Sequence, residues 1–83
     1  MSRDRVLEFK EGPSATGPDI VAVARRKIGD LPSSVLHLSV SHSPESVLIQ
    51  YTGRTSGINF PFERKIKEVM KPLGYEFVSE RYG

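Results

Sequence analysis

The 83 residues, 37% hydrophobic and 27% charged, suffice for one small α+β domain with a thin core and leave no room for two. The absence of cysteine excludes a disulfide framework, a thiolate metal centre and a cysteine nucleophile, and favours a reducing interior. A net charge of +2 with a pI near 9.2 permits binding to nucleic acid without requiring it.

The longest apolar run, residues 20–24, falls far short of a membrane span, and the opening MSRDRVLEFK lacks the apolar centre of a signal peptide. A soluble, cytoplasmic chain with no membrane partner is the expectation. No internal repeat or low-complexity tract interrupts residues 1–83, of which 1–4 and 80–83 are expected to fray.

Residues 5–10 alternate Leu7 and Phe9 with Val6, Glu8 and Lys10, the period of a half-buried strand, β1. GPSATG (12–17) supplies turn formers, with Thr16 or Gly17 as a helix cap. A helix α1 is predicted over 18–28 from the spacing of Ile20, Val23, Ala24, Ile28 and Leu31, with Gly29 closing it. Leu36, Leu38 and Val40 alternate with His37, Ser39 and Ser41 in β2. After the break at 42–45, Val47, Ile49 and Tyr51 alternate with Leu48, Gln50 and Thr52 in β3, which predicts a hairpin. Phe62, Ile66, Val69, Met70 and Leu73 form the stripe of α2, which starts at Pro61 and ends before Pro72. Tyr75 and Phe77 mark β4, expected to fray from Ser79 onward.

The order βαββαβ predicts an α+β two-layer sandwich of the ferredoxin-like kind, both helices covering one face of an antiparallel sheet with order 4-1-3-2. The chief competing layout drops β1 to a disordered arm. In the sandwich, the loops at 12–17, 42–45 and the α2–β4 turn share one end, and the loop at 53–59 lies at the other. Constant alternation places Leu36, Phe77 and Tyr75 toward the helices, and Val6, Val35, Leu48, Val78 and Glu80 on the open face.

Three functional readings follow. The first is a non-enzymatic module binding an RNA or DNA backbone through Arg25, Arg26, Lys27, Arg54, Arg64, Lys67 and Lys71; the whole +2 excess falls on residues 63–71. Its bland counterpart is an ordinary solvated face with cations at helix C-termini. The second is a protein-interaction or homodimer module using the open sheet face or an edge strand. The third is an anion or phosphate site in the loop Gly53, Arg54, Thr55, Ser56 and Gly57, whose small residues expose backbone N–H groups; a plain connecting loop uses the same residues.

His37 and His42 read as surface residues, since Ser41, Ser43 and Glu45 match a triad or metal site by residue type alone. No catalytic residue, metal or cofactor is assigned. The open face carries no stacking aromatic on its central strands, and neither RVLEFK nor SVLIQYTG fits an RNA-recognition pattern.

Overall fold

The computed structural model describes residues 4–13, 15, 19–54 and 58–83. Its elements are β1 (Asp4–Glu11), α1 (Ile20–Ile28), β2 (Val35–His42), β3 (Ser46–Gly53), α2 (Phe60–Met70) and β4 (Tyr75–Tyr82). All strand pairs are antiparallel, in the order β2-β3-β1-β4. This is the ferredoxin-like sandwich, and β1 is a central strand rather than an arm.

Leu7, Phe9, Val47, Ile49, Tyr51 and Tyr75 from the sheet meet Ile20, Ala24 and Ile28 of α1 and Phe62, Ile66 and Met70 of α2 in one core. Helix α1 starts at Ile20, two residues later than predicted, where the first buried side chain anchors its opening turn. Asp19 occupies the cap position without a side-chain cap bond. The proposed caps Thr16 and Gly17 lie outside the described residues. Helix α2 starts at Phe60 with Pro61 in its first turn, and Asn59 Oδ1 accepts from Phe62 N at 3.0 Å. Gly29 and Gly74 adopt positive φ, 72° and 91°, at the two helix exits, a conformation that suits glycine.

Two bulges shift the alternation. Ser34 and Arg54 are joined by a backbone bond of 2.9 Å, and the next paired residues are Val35 with Gly53 and His37 with Thr52, so Leu36 is supernumerary opposite Gly53. Val35 therefore turns into the core and Leu36 points out, 53% exposed, the reverse of strict alternation. On β4 the register slips at Val78, between Phe77 opposite Phe9 and Ser79 opposite Glu8. Glu80 thereby joins the helix side, where its carboxylate meets Lys67 Nζ at 3.5 Å. Strand β4 does not end at Ser79: it pairs through Tyr82, and Gly83 N donates to Asp4 O at 2.9 Å.

Polar bonds cross part of the open face. Asp4 accepts from Gln50 Nε2 and Thr52 Oγ1, both at 2.6 Å, and Arg81 meets Glu8 at 3.4 Å. Val6, expected to be exposed there, is buried, because Gly83 approaches so closely that a methyl on it would stand 2.9 Å from the Val6 side chain.

Backbone bonds order the loops as the topology requires. Glu11 N reaches Glu45 O at 3.0 Å and Gly12 N reaches Gly74 O at 2.9 Å at one end, while Arg54 joins Ser34 at the other. A Cβ on Gly12 would stand 2.8 Å from the Gly74 carbonyl oxygen, so backbone must move to admit it. Gly12→Ala is expected to lower stability by about 1–3 kcal/mol, read as a lower urea midpoint at unchanged slope; a midpoint equal to wild type would show that the approach is not tight.

Candidate functional site

The outer surface of the helical layer follows from the two apolar stripes. With Ile20, Ala24 and Ile28 inward, Arg25, Arg26 and Lys27 of α1 are exposed; with Phe62, Ile66 and Met70 inward, Arg64, Lys65 and Glu68 of α2 are exposed, as is Lys71 at its C-terminal end. Glu63 belongs by sequence to this charged set, but it is only 2% exposed.

Its destination is a buried ion pair. Arg5, on the helix side of β1, donates from Nε to Glu63 Oε2 at 2.9 Å and from Nη2 to Oε1 at 3.2 Å. This is a bidentate pair, the geometry that satisfies both groups best away from water. The Tyr51 hydroxyl donates to the same Oε2 and accepts from Asn59 N at 3.1 Å. Asn59 Nδ2 donates to Ser34 Oγ at 2.7 Å. The Tyr82 ring covers the Arg5 guanidinium at 4.8 Å, and Tyr51 packs edge-on to Phe62 at 5.1 Å.

The electrostatics follow from that closure. The hydrogen bond to Glu63 raises Arg5 above its ordinary value against the opposing effect of burial. Burial first, and then the bond to Glu63, push the Tyr51 phenol up to about 12. The carboxylate already accepts from three donors, so the network holds α2 to the sheet.

Of the seven predicted basic residues, Arg25, Arg26, Lys27, Arg64 and Lys71 stand on the helical layer. Lys65 lines a hollow of about 300 Å³ with Asp30, Leu31 and Pro32 of the α1–β2 turn. Lys67 is half-buried, paired with Glu80 and placed 4.1 Å above the Phe77 ring. Arg54 Nε donates to Ser33 O at 2.6 Å, beside the α1–β2 turn and at the end of the domain opposite Lys71. Gly53 of the predicted anion loop is buried within β3, and Thr55, Ser56 and Gly57 lie outside the described residues.

A groove of about 470 Å³ between α2 and β4 was not foreseen. Lys67, Lys71, Gly12, Gly74, Tyr75 and Phe77 are among its lining residues. The Tyr75 hydroxyl is the one buried side-chain polar atom without a hydrogen-bond partner among the described residues, and burial raises its pKa. No spacing in the sequence brings Gly12 to Gly74. Also among the described residues, no cluster of His, Asp and Glu is placed to hold a metal, and no helix is long and apolar enough to cross a membrane.

Comparison with protein-family models, curated proteins and solved structures finds no match for this chain. Its function must be argued from its own surfaces.

Two measurements test the network. Glu63→Ala strands a buried guanidinium and is expected to cost about 3–5 kcal/mol, whereas Arg5→Met with Glu63→Leu recovers most of that loss; equal urea midpoints for Glu63→Ala and wild type would contradict the assignment. Because Tyr51 titrates near 12 when folded against an ordinary 10.0, its contribution is complete below pH 10 and is lost as pH rises from 10 to 12. Tyr51→Phe is expected to shrink the alkaline fall in stability across that window and to remove the highest transition from the phenolate absorbance titration.

Proposed function

We propose that this chain is a small non-enzymatic module that binds nucleic acid along its phosphate backbone, using the outer surface of its two helices. The carrying observation is the inward turn of Glu63. It leaves Arg25, Arg26, Lys27, Arg64, Lys65 and Lys71 exposed on the helical layer and its ends, against Glu68 of α2 and Asp19 and Asp30 flanking α1. A net charge of only +2 is thus distributed unevenly, with a cationic helical side and a remainder that is net acidic. Neutralising several phosphates releases their counterions, and such a surface gains affinity from that release without reading base edges.

Phe60 adds a preference. It is 65% exposed at the start of α2, one turn before Arg64 and on the stripe that continues through Lys67 to Lys71. An exposed ring on a basic stripe stacks on an unpaired base, so single strands are favoured over duplex. Lys67 contributes less, being tied to Glu80, as does Arg54, being engaged by Ser33. The alternative sites have weaker support: Asp4, Gln50 and Thr52 of the open sheet face are paired with one another, and Arg54 of the 53–57 loop is engaged by Ser33.

Fluorescence anisotropy with a labelled single-stranded oligonucleotide is the direct test. Binding at about 50 mM salt is expected to weaken steeply as salt rises. Arg64→Glu with Lys71→Glu should lower affinity about tenfold or more for all sequences alike and reduce the salt slope by about 2. Phe60→Ala should weaken single-strand binding more than duplex binding. Absence of binding at low salt, or binding indifferent to salt, would overturn the reading.

A further inference from the structure

We propose that two copies of this chain pair through the free edge of β2, antiparallel about a twofold axis at Val40, to form a continuous eight-stranded sheet. The sheet order leaves β2 and β4 as edges, and the two are built differently. Strand β4 has a bulge near its middle and carries Glu76, Glu80 and Arg81, devices that discourage pairing with another strand. Strand β2, VLHLSVSH, has no Lys, Arg, Asp, Glu or Pro in its eight residues, and its bulge lies at one extremity, leaving His37–His42 in regular register with β3.

The ladder shows which backbone groups face outward. Ser43 N donates to Ser46 O at 2.8 Å across the hairpin, so 43 and 46 are a hydrogen-bonded pair. Alternation along an antiparallel ladder then turns the N–H and C=O of Ser41, Ser39 and His37 toward β3, and those of His42, Val40 and Leu38 toward the free edge. No described residue outside β3 is hydrogen-bonded to that edge over 38–42.

These outward groups are self-complementary. With Val40 opposite the partner's Val40, Leu38 falls opposite the partner's His42 on each side of the axis, and all six outward groups are satisfied. The same register sets Ser39 opposite the partner's Ser41 on the open face, where both side chains are exposed. In this register Leu38 meets the partner's His42, Ser39 the partner's Ser41 and only Val40 its own copy, so no like charges oppose each other across the axis. The self-complementary ladder, uncharged along its whole length, selects a second copy as the occupant. An interface of one strand pair is small, so the dimer is expected to be micromolar or weaker.

The pairing keeps both helical layers on the same side of the joined sheet. It goes beyond the nucleic-acid reading and does not rest on it: the test reads mass, with no nucleic acid present. Light scattering on the whole chain from about 10 μM to 1 mM should show a concentration-dependent shift from monomer to dimer. Ser39→Lys with Ser41→Lys sets like charges face to face and should give a monomer with unchanged thermal stability. Ser39→Lys with Ser41→Glu sets lysine opposite glutamate at both places and should restore the dimer. The Val40 amide should exchange fast in dilute solution and gain protection with concentration. A wild-type chain that stays monomeric, a dimer unaffected by the two lysines, or a Lys/Glu variant as monomeric as the Lys/Lys variant would each overturn the proposal.

Discussion

The pair between Arg5 and Glu63 joins residues 58 apart in the chain, and it fixes α2 against β1 as nothing apolar in the core does. Phe62, Ile66 and Met70 require only that one side of the helix face the sheet; a greasy stripe tolerates a shift along its length. A bidentate carboxylate–guanidinium contact does not, because breaking it leaves both ions buried and unpaired. Tyr51 and Asn59 extend the constraint to β3 and to the start of α2, so a single constellation sets the helix's height, rotation and first turn. The same contact determines the surface, since the acid drawn inward is no longer available to neutralise the cations around it.

The bulges act on the edges in a similar way. At β2 the extra residue, Leu36, sits opposite Gly53 at the very beginning of the strand, and the rest of the strand keeps regular register with β3. At β4 the extra residue, Val78, sits near the middle; it turns Glu80 toward Lys67 and twists that edge away from simple pairing. One edge is thereby guarded and the other left open, although each strand has eight residues and one irregularity.

Much of this was legible from local pattern. The stripes of α1 and α2, the alternation in β1 and β3, and the turn residues at Gly29 and Gly74 define the element order and hence the topology, because period and turn chemistry are properties of neighbouring residues. Leu36 and Glu80 were placed on the wrong sides because alternation was carried through positions where the strand has one residue too many. Helical spacing alone leaves Glu63 among the charged residues of α2, because its partner Arg5 lies at the other end of the chain, beyond the reach of that spacing. Lys67 was counted as a free cation for the same reason: Glu80 and Phe77 become its neighbours only once β4 is in place. The groove at Tyr75 depends on the approach of Gly12 to Gly74 and leaves no trace in either segment alone.

A two-layer domain has one sheet face covered by helices and one facing solvent, and the usual expectation is that the solvent face recognises partners. Here part of that face is tied up in its own bonds, from Asp4 to Gln50 and Thr52 and from Glu8 to Arg81, while Gly83 closes over Val6. The two proposed surfaces, the helical layer and the β2 edge, are compatible with each other. Edge pairing lies in the plane of the sheet and leaves the outer helix surfaces uncovered. The proposed dimer would bring two cationic layers onto one side, and a polyanion long enough to cross the axis would then gain a second set of contacts at high effective concentration. For a module with a small net charge, such doubling is a route to useful affinity that adds no basic residue to the chain.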